Sequence, residues 1–570
     1  MTPLTLKFTG GMNNNDSPLN LFARDRGETQ SLVNAKTDQR GLLKPLRKLT
    51  AVNATAESSS IHSVFNVYNS SRNLVLVGVG TSLKYVNGTS LTTLLTGLSG
   101  EKISFTHVGD WVYLTDGTNR KAVYLPTPVG TDWGQDPPNA APTVADSGVA
   151  GNPDGTYSCY SRYKITLPDA SILRTALSPV GTVTVVTNKI AWSALVHSTF
   201  EGATTREIEL FRTKTGFSGT YLVTTLSEGT TTYTDDVTDA ALQGNTEYDE
   251  DGYYPFPDSL SVVFYHPGAN RIFAASGNDV YWSEPGLYHI CIYDESADEY
   301  TNTNTVFPQE ESITAIGLWD EQLYFGSTGS WLRLRGYNPD YWLWEPTSAI
   351  KGPLSQASLV NIPMGLLYPG NDGYLWLFSG IESKKIIDQF IFGTSPTSSS
   401  CGAFDGTYYY LFYGDTTYPE LLVDLSPLPA SPPKVIQSAR TATSVHYDKY
   451  SNRLYIGGSD GYVRYSDDTD QDITMSFQTA EIPIDQIDKL GDAATLVLEV
   501  DTKEDNLVIT QFEDGIEQTS LTPISTAIMQ RVVIPISLNI YRTLSIKASI
   551  TSKKAVRIRE PWFLSQEDDG

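Results

Sequence analysis

One arrangement of apolar and polar positions recurs along this chain. It is plainest at Ile313–Gly336, where an apolar run ends at a polar turn (Asp320, Glu321), a second run follows (Leu323, Tyr324, Phe325), and a Gly/Ser turn leads to a third run from Trp331. Each run has the alternation, or the β-branched and aromatic content, of a strand. The same order of parts returns at Ile103–Leu125, Ser261–Gly286 and Thr443–Asp467, with looser copies at Ile61–Gly88, Met364–Ile387 and Gly402–Asp424. A single hairpin-rich unit of this kind cannot bury its aromatic face alone, whereas stacking units side by side can. The pattern therefore predicts an all-β protein built on a β-propeller of about seven irregular blades.

Two segments interrupt the repeat and set the expected domain order. Residues 1–55 are turn-rich, with short anchors (Leu19, Leu21, Phe22, Leu32, Val33, Leu42, Leu43) between Gly, Asn and Asp, and read as an extended arm or a strand pair laid on the body. Residues 56–150 hold the first propeller units and end in a Pro-rich loop, Pro126–Pro153, whose composition marks a boundary. Residues 151–252 alternate without a helical period. This span, chiefly Ile208–Tyr233, looks like a fibronectin type III module, a β-sandwich inserted between propeller units. Tyr253–Pro257 leads back into the repeat, and residues 253–470 carry five more units. Residues 471–570 have longer alternating stretches and read as a separate C-terminal β-domain, some of whose strands would leave open edges for a partner chain.

Composition changes this picture mainly through charge. The chain of 570 residues has 33 tyrosines, 18% charged residues and a formal net charge of −25. A surface so strongly of one sign disfavours general adhesion to DNA or anionic membranes, but suits a wall along which a duplex slides without sticking. Basic residues gather at Lys44, Arg47 and Lys48, where a solvated surface is the simplest reading, and again at Lys547, Lys553, Lys554, Arg557 and Arg559. The N-terminus lacks a basic start followed by an apolar core, and no apolar run reaches about 18 residues, so neither a secretory signal nor a membrane span is expected.

A search for chemistry finds no assembled set. There is no nucleophile elbow, zinc-protease helix, P-loop or dinucleotide fingerprint. Cys159, Cys291 and Cys401 are odd in number and far apart, which suits neither a disulfide framework nor a zinc cluster. His62, His107, His266 and His446 recur at similar places in the units, which points to packing; His197 and His289 are scattered. Adjacent carboxylates (Asp235/Asp236, Asp249/Glu250/Asp251, Glu310/Glu311, Asp467/Asp468) cannot be narrowed to an acid–base pair from sequence. The turn at Asp460–Gly461 crowds oxygen donors as a calcium loop would, but lacks the EF-hand spacing. Among the aromatics, Trp319 and Trp331 read as core, while Tyr341, Trp342 and Trp344 could instead form a sugar-binding platform. No catalytic, cofactor-binding or metal residue is assigned, and an enzyme is not expected.

The arm carries a resemblance. Gly10–Gly11, Asp16–Pro18, Glu28, Leu32–Asn34 and Gly41–Arg47 resemble the opening of a group of bacteriophage virion proteins, the tail-tube or nozzle components of short-tailed phages. Asn270–His289 is similar to a later segment of the same group, so the likeness runs from about Phe8 to Asp468 and leaves the C-terminal domain unmatched. The resemblance implies a structural protein of the virion tail, assembled in the host cytoplasm as a homo-oligomer, a hexamer, below the portal and adaptor proteins and beside tail fibres. It further implies that the ring retains double-stranded DNA and conducts it during genome ejection into the host cell, without specific binding. The rival expectation is a carbohydrate-binding or glycan-degrading β-propeller, with Tyr341, Trp342 and Trp344 as its platform.

Overall fold

The computed structural model describes the chain except residues 1–3, 6–9, 19–20, 22–27, 38–41, 69–72, 249–252, 292–302, 308–310, 468–472, 484–492, 538–542, 553–555 and 565–570. Among the described residues almost all regular structure is strand. The unit at Ile313–Gly336 folds as its pattern predicts. Ala315–Trp319 pairs with Gln322–Gly326, which pairs with Trp331–Arg335 and then Leu343–Pro346. Asp320 and Glu321 turn the first hairpin with φ of 47° and 58°, the doubly positive geometry of a tight two-residue hairpin.

Seven such four-stranded sheets follow one another. Blade 1 spans Ile61–Tyr68 to Ser90–Thr96 and blade 2 Ser104–Val108 to Val129–Asp132. Blade 3 runs from Val262–His266 to Thr303–Thr305, and blade 4 is the Ala315–Trp319 sheet just described. Blade 5 runs from Val360–Ile362 to Ser383–Lys385 and blade 6 from Cys401–Phe404 to Lys434–Ser438. Blade 7 takes three strands from Ser444–Asp448, Arg453–Gly457 and Val463–Asp467, and its fourth, Lys48–Ala51, from the arm. The protein is thus a seven-bladed propeller with an inserted sandwich and a C-terminal β-domain.

Stacking explains why inner strands read as continuous apolar runs. In Gln322–Gly326, Leu323 and Phe325 pack against blade 3 residues Phe273 and Val280, while Tyr324 joins Trp331, Tyr368 and Phe378 toward blade 5. Both faces are covered, so neither needs polar residues. Outer strands such as Ser90–Thr96 are mostly exposed or half-buried and carry more polar residues.

The insertion differs from expectation at its start. Thr143–Ala150 already belongs to the sandwich, pairing with Asn188–Ser193, and Val129–Asp132 is the outer strand of blade 2, so the Pro126–Pro153 segment is not a single loop. Most side chains of Thr143–Ala150 are exposed and its apolar residues fall in adjacent pairs, so no alternation marked it. The sandwich has a three-stranded and a five-stranded sheet, and it includes a one-turn helix, Asp239–Leu242, capped by the Thr238 hydroxyl, where no helix was expected. It does not hang free of the propeller. Tyr163, Ile165, Leu167 and Phe200 share one buried cluster with Trp111, Tyr113 and Ile272 of blades 2 and 3, and Phe256 of the returning YYPFP stretch is fully buried there.

The arm is woven through the fold, not laid on it. Ser31–Val33 lies between the outer strand of blade 6 and Ile473–Gln478 of the C-terminal domain, making one ten-stranded sheet. Ala35–Thr37 and Leu43–Pro45 join the second C-terminal sheet, as does Leu4–Thr5 against Trp562–Leu564. The C-terminal domain is therefore continuous with the propeller through the arm, and one buried cluster runs from Leu411 and Val435 of blade 6 through Leu32 to Phe477 and Ile550. The anchors Leu19 and Phe22 lie outside the described residues.

Candidate functional site

Several arm residues that carried the family resemblance sit at this junction, whereas Asn270–His289 lies in blade 3. Gly11, at φ +84°, lies so close to Lys434 and Val435 that an added Cβ would stand 2.9 Å from the Lys434 Cβ and from the Val435 amide nitrogen. Glu28 is buried and accepts from the Asn13 side chain at 3.0 Å. Leu32 is buried between blade 6 and the C-terminal domain. Asn34, at φ 53°, is the node: its amide donates to the Gln437 carbonyl, its side chain donates to the Thr474 carbonyl at 2.9 Å, and its side-chain oxygen accepts from the Ala439 amide at 3.1 Å. Asparagine tolerates the left-handed conformation and has both a donor and an acceptor, so it can tie two domains from one strand end.

A second feature lies on the propeller axis. Residues in or just before the first strands of the seven blades line a cavity of about 390 Å³, whose polar residues include His62, Ser63, Ser104, Ser261, Thr314 and Ser444. Most of these hydroxyls are already engaged between blades. Ser63 Oγ accepts from the Ile103 amide, Ser104 Oγ from the Val263 amide, and Thr106 Oγ1 from the Tyr265 amide. Thr314 Oγ1 donates to the Pro353 carbonyl, and Ser444 Oγ and Thr443 Oγ1 donate to the Ile61 carbonyl, so blade 7 is bound to blade 1. Inner strands splay too far for a continuous ladder, and short hydroxyl side chains satisfy backbone groups there instead. The sequence carried this signal, a Ser or Thr at or just before the first apolar run, but it was not read.

Aromatic rings partly fill the axis. Phe65 stacks on Phe105 with centroids 5.0 Å apart, and His446 packs against Phe65 at the same distance. Burial pushes the His446 imidazole down to about 4 despite the opposing pull of Asp448. A cavity of this volume cannot hold a duplex whose major groove alone is about 12 Å wide. A single propeller bore is no DNA conduit.

The other sequence candidates are dispersed. His62 bonds the Gly80 carbonyl, His107 the Gly109 carbonyl, and His266 accepts from the Gly268 amide, so three of the recurring histidines serve their own blades. His289 is enclosed by Trp111 and Tyr113, with neither ring nitrogen hydrogen-bonded among the described residues, and burial drives it down to about 4. Asp235 is buried against Arg212, whereas Asp236 bonds Asn152 and Lys189 near the surface. Glu311 accepts from the Ser327 and Ser330 hydroxyls. Asp249, Glu250, Asp251, Glu310 and Asp468 lie outside the described residues, as do Lys553 and Lys554.

Asp460 is not free to hold calcium: Arg464 grips both carboxylate oxygens, and Gly461 is packed against the Glu57 backbone. Among the described residues no cluster of three His, Cys, Asp or Glu side chains could hold a metal ion. The three cysteines are buried, with Cys159 raised by burial to about 12.

The proposed sugar platform is split by strand alternation. Trp342 turns inward onto Phe273 and Trp282, and Trp344 onto Phe325, leaving Tyr341 and Leu343 exposed. Trp331 is core, stacked on Phe378 at 4.9 Å with its Nε1 donating to the Tyr368 hydroxyl, and Trp319 packs against the same cluster. Lys36 and Arg47 line a polar cavity of about 120 Å³ with Asp405, Tyr410 and Arg440, between the arm and blades 6 and 7.

Comparison with known proteins adds little. No known family matches the chain, and no curated protein matches it. Among solved structures, the computationally designed Ika8 protein is similar with a TM-score of 0.34 at 11% identity, over 74% of this chain and 99% of that one. The WD40 repeats of RRP9 give a TM-score of 0.32 at 8% identity, over 73% and 99%. The extracellular domain of a putative hybrid two-component system, BT4673 of B. thetaiotaomicron, gives 0.25 at 13% identity; 80% of this chain is covered but only 44% of that one. No helix among the described residues is long and apolar enough to cross a membrane.

Proposed function

We propose that this chain is a structural subunit of a short-tailed phage tail, a nozzle ring below the portal and adaptor that retains double-stranded DNA and then conducts it. It is not an enzyme in this reading. The observation that supports it best is where the resemblance falls. Gly11, Glu28, Leu32 and Asn34 are the residues that fasten the arm between blade 6 and the C-terminal domain, so the likeness rests on the architecture of the whole chain and not on a surface motif. The net charge of −25 suits a wall that repels phosphate. The narrow, partly filled axis of the single propeller favours a conduit formed between copies, with cyclic symmetry supplying a wider bore than one chain has.

The test is imaging of the purified chain with and without phage portal assemblies, together with its mass by light scattering. Six-fold rings docked coaxially on portals are expected. A persistent 62.6 kDa species with no affinity for portals overturns the reading.

A further inference from the structure

The C-terminal domain carries a face whose chemistry is opposite to that of the rest of the molecule. Between residues 521 and 564 there are seven Arg and Lys residues and a single acidic one, Glu560, in a chain of net charge −25. Arg542, Lys553 and Lys554 lie outside the described residues; Lys547 belongs to the ten-stranded sheet, and Arg531, Arg557 and Arg559 lie on or beside the strands that pair with Ala493–Asp501.

Gln530–Ser537 pairs with Ala493–Asp501, and among the described residues its other edge is unpaired. Side chains of one row share a face. Val533 and Trp562 flank Val497 in one row, because Val497 pairs with both; Val497 itself is fully covered, and Val533 and the half-buried Trp562 are the apolar residues the row offers. In the next row Arg531 stands opposite Glu499, which in turn bonds Arg559 at 2.5 Å. Beyond it Arg557 stands opposite Asp501, whose carboxylate bonds Lys503 at 2.6 Å. The Arg531 guanidinium also lies 5.7 Å from the Trp562 ring. The inward residues Val532, Ile534 and Ile536 pack on the main core.

This face has an apolar centre, four cations against two carboxylates around it, and a strand edge beside it. Val533 is 54% exposed, and just before the strand Ile528 is 64% exposed. Exposed apolar residues on an open edge are a liability that a monomer normally guards against. Here the guard is Pro535, which has no amide proton and shortens any strand that could be added.

We infer that this basic face of the C-terminal sheet, with its free edge at Gln530–Ile534, docks onto the acidic body of a second copy of the same chain. A strand edge with an apolar centre calls for polypeptide, and the remainder of the chain supplies the complementary negative surface. The face cannot pair with itself, because cations would meet cations. The contact is therefore heterologous, and heterologous contacts that close give a ring. The inference rests on the tail reading above and names the surface by which its subunits meet.

Sedimentation of the full chain over a concentration series, at 50 and 500 mM salt, tests it. The wild type should assemble into multiples of 62.6 kDa, less readily at high salt. Val533→Asp, and separately Arg531→Glu with Arg557→Glu, should each raise the assembly concentration by roughly tenfold or more. Circular dichroism and melting should stay unchanged; the charge-reversal pair and the salt series stand alone if Val533→Asp fails to fold. Variants that assemble like the wild type overturn the assignment of this face while leaving the tail reading intact. A wild type that stays monomeric at every concentration overturns it too, as does assembly that appears only on adding duplex DNA or another acidic protein. Loss of portal docking by variants or wild type that still form rings would instead sink the tail reading and leave this face standing.

Discussion

Arg212 sits at the centre of the inserted sandwich with no exposed surface. It donates to Asp235 at 2.6 Å, to Asp239 at 2.8 Å and to the Val237 carbonyl, and its guanidinium lies over Tyr157. Removing one partner of such a buried pair strands the other charge. Arg212→Ala should therefore destabilise the sandwich by about 3–5 kcal/mol, whereas Arg212→Met combined with Asp235→Leu should recover much of the loss. Denaturant melts followed by fluorescence of the sandwich residue Trp192 would read both; equal losses in the two variants would contradict the argument. The buried histidines make a second prediction. His289 is neutral and enclosed, and burial holds it at about 4 against an ordinary value near 6.5. Asp169 opposes the shift but is outweighed. Unfolding lets the ring take up a proton, so stability is complete above about pH 6.5 and declines toward pH 4, by at most about 3 kcal/mol for this one group. His289→Phe should flatten the fall in denaturation midpoint across that window, and an unchanged slope would assign the acid sensitivity elsewhere.

Elements outside the repeat decide how the repeat is closed. Lys48–Ala51 supplies the fourth strand of blade 7, and Ser31–Val33 joins blade 6 to the C-terminal domain. Blade 7 is thus completed by a strand far from it in sequence, a device that makes its stability depend on the arm. Asn34→Ala removes two side-chain bonds and puts a β-carbon residue without local compensation in the left-handed region, a loss of about 2–3 kcal/mol. Asn34→Gly keeps the backbone freedom and loses only the bonds, so it should be less harmful. Thermal melts that rank Asn34→Gly below Asn34→Ala would refute this account of the node. The blades themselves were legible because their hairpins are local: alternation, turn residues such as Asp320 and Glu321, and recurrence all lie within some 25 residues. The strands Thr143–Ala150 and Val129–Asp132 were not, since the first buries little and the second has no alternation. A burial-based pattern cannot report a strand that buries almost nothing.

At the scale of the whole molecule, charge and shape act together. A net charge of −25 and a propeller axis too narrow for a duplex predict that the chain does not retard duplex DNA in a mobility assay at about 0.15 M salt, where the Debye length is about 8 Å and weak local basic patches are partly screened. Retardation at micromolar protein under those conditions would mean that the basic C-terminal face binds nucleic acid, against the self-association argued above.

What the sequence alone determined was what depends on neighbours along the chain: an all-β fold, its hairpins, the seven-fold recurrence, the insertion and the acidic surface. Of the site, it pointed to the arm through Gly11, Glu28, Leu32 and Asn34, and it placed Trp331 and the recurring histidines in structural roles. Only the tertiary structure decided which distant residues meet. It put Asn34 between Gln437 and Thr474, set Ser63 and Ser104 as links between blades, turned Trp342 and Trp344 inward, and gave Asp460 to Arg464. Periodicity records whether a side chain faces a neighbour, because burial selects for polarity. It does not record which neighbour, because contacts between residues hundreds of positions apart leave no local mark.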